Sequence, residues 1–256
     1  METYPESNLI GFDISVGRQK PENIIHKNAA CPFCDTEHLT DIVDTEDDMI
    51  LLRNKYNVLE NADQFVLIES RRHNADIPDY SREKMHRLLR FAVRHWEAME
   101  QSGKYAAVLF FKNHGPLSGG TIRHPHMQIV GLPTFHLEAA YHPEEFLGIP
   151  VITRDGVEMN LSTYPRLGFI EFNVVPENSR SIDTVADFVQ IAVDFLMHHF
   201  TKNCQSYNIF FYREHGMLRA KIMPRFATSP LFIGYNIRLR PNNLEEMARK
   251  VQEIYM

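Results

Sequence analysis

The apolar positions fall into helical stripes separated by short continuous runs. From Ser81 to Gln101, Met85, Leu88, Leu89, Ala92, Val93, Trp96 and Met99 recur at intervals of three and four, which predicts a helix with one buried face. Ser81 stands as its N-cap and Glu83 falls in its first turn. Thr184 to Phe200 has the same period through Val185, Phe188, Val189, Ala192, Val193 and Leu196, and Asn243 to Tyr255, opening just after Pro241, reads as a terminal helix. Strands are expected at Met49 to Leu52, ended by the polar Arg53-Asn54-Lys55-Tyr56, and at Phe65 to Ser70, ended by Arg71-Arg72-His73-Asn74. Further strands are expected at Tyr105 to Lys112, His124 to Leu132, Arg166 to Val175 and Tyr207 to Tyr212, with Leu218 to Met223 and Leu231 to Leu239 completing a second sheet region. Residues 1–30 read as irregular chain leading to a cysteine knuckle, and Pro133 to Glu158 carry no firm period.

Composition narrows the class. A chain of 256 residues, 44% hydrophobic and 23% charged, can bury a core as one large domain or two closely packed halves. No run approaches the roughly 18 apolar residues of a membrane span, and METYPESNLIGF lacks the basic and apolar regions of a secretory signal, so the cytoplasm is the expected location. A formal net charge of −6 argues against general nucleic-acid binding, which needs a basic surface. Three cysteines cannot build a disulfide framework. Cys204 reads as a structural thiol, whereas Cys31-Pro32-Phe33-Cys34 reads as metal-binding, because no βαβ pattern surrounds it to support a redox role. On spacing alone, His38 is the third ligand that the pair suggests.

The densest chemistry lies between Phe111 and Leu132. In an extended strand His124, His126 and Gln128 share one face, while Pro125 and Met127 take the other. Just upstream, Gly115, Gly119 and Gly120 with Ser118 and Thr121 form a loop whose backbone can approach a phosphate closely. A neutral imidazole serves as nucleophile or as metal ligand, so two histidines two residues apart can divide those tasks.

Asn113-x-Gly115 through His124-Pro125-His126-x-Gln128 resembles the active-site segment of galactose-1-phosphate uridylyltransferases and related nucleotide phosphorylases, a branch of the histidine triad (HIT) superfamily. The resemblance implies an α+β fold, with HIT-like antiparallel sheets and helices in two related halves. Residues 1–160 would carry the zinc knuckle and the active strand, and residues 161–256 a degenerate half. It implies one structural zinc held by Cys31, Cys34, His73 and His124, with His73 in place of His38. It makes His126 the nucleophile that takes a nucleotidyl group from a nucleotide sugar, and Gln128 a donor to the phosphoryl oxygens. Gly119, Gly120 and Thr121 would hold the other phosphate, Asn113 would orient the site and Asn54 would contact the nucleotide; for both asparagines plain turn chemistry is the other reading. A phosphate-bearing acceptor and a homodimer follow from the same resemblance. His114, His136, His142, His198, His199 and His215 read as surface or packing residues.

The second half departs from that pattern. Where the transferases carry another His-x-His before a proline and use it for a second metal, this chain reads Arg219-Ala220-Lys221-Ile222-Met223-Pro224. Pro230 and Asn236 flank a Gly234-Tyr235 pair where the sugar enzymes tend to have lysine and glutamate. Two alternatives therefore stand beside a transferase: a phosphorylase of a nucleotide sugar or dinucleoside polyphosphate, and a nucleotide-binding protein without turnover.

Overall fold

A computed structural model describes residues 9–135, 141–178 and 181–256; His136 lies outside them. After a short helix α1 (Ile14–Gly17) come β1 (Ile42–Glu46), β2 (Met49–Arg53), β3 (Asp63–Ile68), α2 (Arg82–Gln101), β4 (Ala107–His114) and β5 (His126–Leu132). Then follow β6 (Gly148–Arg154), β7 (Val157–Ser162), β8 (Phe172–Pro176), α3 (Ile182–Asp194), β9 (Tyr207–Glu214), β10 (Met217–Pro224), α4 (Pro230–Tyr235) and α5 (Leu244–Tyr255).

The element order repeats: three strands, a helix, two strands, twice over. The sheet order β1-β2-β3-β5-β4 meets its mirror β9-β10-β8-β7-β6 in one antiparallel sheet. The seam is β4 against β9, from Phe110 opposite Phe211 to His114 opposite Tyr207. The two expected sheet regions are therefore one continuous sheet, because the outer edge of each half satisfies its backbone groups on the other. On this topology β6 and β7 go with the second unit, and we place the division of the chain ahead of Gly148 rather than at residue 160.

Alternation in the strands decides where the core sits. Val108 and Phe110 of β4, Met127 and Ile129 of β5, and Ile209 and Phe211 of β9 join Met85, Leu88, Leu89, Ala92 and Trp96 of α2 and Val185, Phe188 and Val189 of α3 in one buried cluster. Each such large side chain contributes about 1.5–3 kcal/mol of burial. The N-cap expected for α2 is present, with Ser81 Oγ accepting from Lys84 N at 3.2 Å. The residues between them on the same strands, Phe111, Asn113, Gln128 and Phe210, face the other side of the sheet, where Phe111, Asn113 and Gln128 line a cavity.

Several expectations need correcting. The unplaced stretch contains the β6–β7 hairpin, whose Asp155-Gly156 turn has φ of 52° and 71°, the left-handed pair that a two-residue hairpin demands. β1 lies in an acidic stretch where no strand was expected. Arg166 to Val175 begins as a loop, because Glu171 accepts from the backbone N–H of Arg166 at 2.9 Å and of Leu167 at 2.8 Å; only Phe172–Pro176 is strand. Leu231 to Leu239 is not a strand. Ser229 caps Leu231 N, Pro230 occupies the first turn, and Asn236 (φ 54°) stops the helix, leaving Ile233 73% and Tyr235 76% exposed. Among the described residues, no helix is long and apolar enough to cross a membrane.

One buried cluster of charge lies behind the β3–β5–β4 strands. The Lys112 ammonium, 1% exposed, contacts Glu69 and lies 3.5 Å from Asp76 Oδ1. Tyr80 OH donates to Glu69 at 3.0 Å and Tyr207 OH to Asp76 at 2.7 Å. Burial pushes Glu69 up despite Lys112, whereas Asp76, also opposed by burial, is held low by Lys112 and His114. Lys112→Met leaves two buried carboxyls without their cation and is expected to cost about 3–5 kcal/mol in denaturant unfolding. The double variant with Glu69→Gln should recover part of that loss, and an unchanged unfolding midpoint for Lys112→Met would show the cluster to be energetically idle.

Candidate functional site

The Cys31–Cys34 knuckle is closed by a Cys34 N–H to Cys31 carbonyl bond of 3.2 Å. It rests against the start of β5 and the segment after β3. The ligand atoms of Cys31, Cys34, His73 and His124 all lie within 4.8 Å of one another, the single such His, Cys, Asp or Glu group found among the described residues. Cys34 Sγ is 3.3 Å from His73 Nδ1 and 3.4 Å from His124 Nδ1, and Cys31 Sγ is 3.6 Å from His124 Nδ1. A tetrahedral zinc with ordinary Zn–N and Zn–S bonds requires ligand separations of about 3.3–3.8 Å, and these three thiol–imidazole distances fall in that range, so two thiols and two imidazoles fit that ion in their chemistry. His124 Nε2 donates to the Ser70 carbonyl at 2.6 Å, which fixes the tautomer that leaves Nδ1 free as a ligand. His38 stands apart: it is exposed, and its Nδ1 is 2.7 Å from Asp35 Oδ1.

One peptide beyond Pro125, His126 turns into a cavity of about 390 Å³ on the sheet face opposite the helices. Its Nδ1–H donates to the His124 carbonyl at 2.8 Å, so the lone pair resides on Nε2. Burial pushes this imidazole down to about 4, so the ring is neutral at pH 7. Phe33 of the knuckle packs edge-on against both rings, 6.0 Å from His124 and 5.4 Å from His126. Metal group and nucleophile candidate thus share the residue His124: its ring faces the thiols and its carbonyl holds His126.

Gln128 lies in register between Val66 of β3 and Phe111 of β4, half-buried, and lines the same cavity. Asn54, Asn113, Gly119, Gly120 and Thr121 complete the set that the structure brings together there. Gly119 (φ +86°) takes a conformation that a side chain would strain, and at Gly115 (φ +82°) a Cβ would lie 2.1 Å from the Gln205 carbonyl. Asn54 Oδ1 accepts from Tyr56 N at 2.9 Å, which is turn chemistry. Asn113 Oδ1 instead accepts from Asn208 Nδ2 at 2.6 Å, tying β4 to β9. His114 is a packing residue, stacked on Tyr207 with ring centroids 4.8 Å apart and 3.2 Å from Asp76.

Two residues at or beside the cavity carried no signal in the strand pattern. Lys20, in the irregular N-terminal chain, lines it as a half-buried cation whose pKa burial lowers. Asn23 accepts from Arg123 N at 2.6 Å and donates its own backbone N–H to the Thr121 carbonyl at 2.9 Å, which fastens that chain to the glycine loop.

An antiparallel sheet with helices on one face, and a His-x-His segment leading into a strand with its first imidazole beside two thiols, is the architecture of a HIT-like α+β protein. Within that class the chain belongs to the DUF4931 family: the models described as its N-terminal and C-terminal domains, both of unknown function, match residues 12–135 and 138–256. The crystal structure of a DUF4931 family protein from Bacillus cereus ATCC 10987 is 35% identical, covers 84% of this chain and 100% of its own, and superposes with a TM-score of 0.77. A uridylyltransferase structure (16% identity, 88% and 90% covered, TM-score 0.70) and an ADP-glucose phosphorylase from Arabidopsis thaliana with bound ADP-glucose (14%, 96% and 95%, 0.71) share the fold. No curated protein sequence matches the chain.

Proposed function

We propose that this protein moves a nucleoside monophosphate from a nucleotide sugar or related nucleotide to a phosphate-bearing acceptor through a nucleotidyl-His126 intermediate. The observation that carries the reading is the orientation of His126: Nδ1–H is held by the His124 carbonyl at 2.8 Å and the ring lines the cavity shared with Gln128, Asn113 and the glycine loop. Nε2 attacks the α-phosphorus; a P–N bond forms as the P–O bond to the leaving phosphate breaks. The ring becomes cationic, and its Nδ1–H bond to a fixed carbonyl strengthens at that moment, so the step needs no separate base. In the second half-reaction an acceptor phosphate oxygen forms the new P–O bond, and the P–N electron pair returns to Nε2. Gln128 donates to the phosphoryl oxygens without titrating, and Gly119, Gly120 and Thr121 cradle a phosphate. Cys31, Cys34, His73 and His124 would hold zinc in a structural role in this reading, since four protein donors would leave it no open position. The shared fold with a uridylyltransferase and an ADP-glucose phosphorylase supports the reaction class.

The test is incubation with UDP-glucose or ADP-glucose labelled at the α-phosphate, followed by acid treatment. Acid-labile label on His126 is expected; none across a nucleotide panel would leave a binding protein without turnover. Gln128→Ala is expected to slow labelling by roughly ten- to a thousandfold, as for one donor of an oxyanion hole, and labelling at the wild-type rate would remove Gln128 from the chemistry. Pro230 and Asn236, at positions where the sugar enzymes that the chain resembles tend to have lysine and glutamate, leave the hexose specificity open, and a phosphorylase with inorganic phosphate as acceptor is the second reading. Discharge of the label by inorganic phosphate separates it from transfer to a hexose 1-phosphate.

A further inference from the structure

Phe111 and Asn113 line the His126 cavity on one side and a second cavity, about 650 Å³, on the other. Three arginines reach this second space, and two are neutralised: Arg166 by Glu145 at 2.8 Å, and Arg213 by Glu97 at 3.0 Å and Glu100 at 2.8 Å. Arg225 differs. It follows β10, its backbone N–H donates to the Ser206 carbonyl at 2.7 Å, and its guanidinium donates to Asn208 Oδ1 at 2.9 Å. Among the described residues no carboxylate pairs with it, and its buried Nε has no hydrogen-bond partner. A half-buried guanidinium without a carboxylate is costly unless an anion arrives to accept its remaining donors. Burial, unopposed by any neighbour, pushes the Arg225 pKa down.

The same residue is wired to the reaction site. Asn208 accepts from Arg225 and donates to Asn113 Oδ1 at 2.6 Å and to the Ser118 carbonyl at 3.0 Å, so two hydrogen bonds separate Arg225 from a wall of the His126 cavity. Resting on the transfer reading above, we propose that Arg225 forms the phosphate subsite of the acceptor, which enters through the second cavity. The planar fork of a guanidinium matches two phosphate oxygens, and Phe210 and Tyr212 wall the space behind for the remainder of an ester. There the acceptor oxygen can approach the α-phosphorus from the side of Asn113 while the P–N bond to Nε2 breaks. The phosphate is either free or esterified, and the two arms of the test below separate those sources.

The full chain is titrated calorimetrically with inorganic phosphate and, separately, with glucose 1-phosphate, as wild type and as Arg225→Gln. Affinity in the variant is expected to fall roughly ten- to a hundredfold, the loss typical of a charge-assisted pair. Loss with both probes assigns the subsite to phosphate as such; loss with the ester alone assigns it to a phosphate ester. Arg225→Lys, which keeps the charge and removes the fork, should bind between the two and is read in place of Arg225→Gln if that variant does not fold. Equal affinity in wild type and variants, or no binding of either probe to the wild type, overturns the proposal. Failure to label wild-type His126 overturns the transfer reading and leaves this titration to judge the subsite.

Discussion

His126→Gly is expected to abolish nucleotidyl exchange, a loss on the order of 10⁴-fold or more, while zinc content and unfolding temperature stay close to wild type. The asymmetry follows from what the ring touches. Its hydrogen bond runs to the His124 carbonyl at 2.8 Å, a group that water can serve equally well once the imidazole is gone, since the ring lines a cavity of about 390 Å³ and not the closed core. The metal group uses the Nδ1 of His124, whose orientation is set by the Ser70 carbonyl and not by His126. A chromatographic assay of exchange between labelled UDP-glucose and an acceptor, run beside zinc analysis and thermal unfolding, checks both halves. Wild-type exchange in this variant would end the assignment of His126 as nucleophile. Loss of zinc together with exchange would mean that His126 supports the knuckle, and the division of roles between the two histidines would fail.

Local signals in the chain account for the elements that position this site. The stripe from Met85 to Trp96 needed a sheet to cover, and the runs at Met49, Phe65, Ala107, His126, Tyr207 and Leu218 supplied it. The alternation of His126 and Gln128 on β5 was readable, whereas His124 and Pro125 precede the strand, which begins two residues later than expected. Cys31, His73 and His124, far apart in sequence, meet because β3 pairs with β5 from Asp63 opposite Gly131 to Ile68 opposite His126, a register that no local pattern states. The hairpin over residues 148–162 was within reach, since Asp155-Gly156 between β-branched residues is a strong turn signal, but Pro150 and the bulge beside it broke the period. The helix at Pro230 was hidden for the opposite reason: its apolar residues imitate a strand, while its Ser-Pro start and Asn stop are the informative part. Asn208 and Lys20 had no signal to read, because each matters through partners on another strand or loop, and Arg225, though basic enough to meet a phosphate, reads in the sequence as a cation on a solvated surface. Lys112 looked like the polar end of a strand and is 1% exposed, since Glu69 and Asp76 come to it from a distant segment.

Elemental analysis is expected to find about one zinc per chain and no second metal. In the second half, Lys221 projects from β10 with its ammonium 2.8 Å from Asn173 Oδ1, 3.2 Å from Glu171 Oε2 and 2.9 Å from the Glu145 carbonyl, so a lysine cation already satisfies the oxygen-rich pocket of that half. At the N-terminal group, binding energy of a structural zinc is also folding energy, because the ligands gather only in the folded chain. Cys34→Ser and His73→Ala should each lose most of the zinc and lower the unfolding temperature by about 10 °C or more, given roughly 2–4 °C per kcal/mol for a chain of this size. A chelator should have the same effect on the wild type and a smaller one on either variant. His38→Ala should change neither quantity: its imidazole is exposed, hydrogen-bonded to Asp35, and held by that carboxylate toward the protonated form, which cannot ligate. If His38→Ala loses zinc while His73→Ala retains it, the third ligand moves into the N-terminal knuckle. The knuckle would then no longer be tied to the segment after β3, and its grip on His124, through which it positions His126, would rest on Phe33 packing and one shared ligand alone.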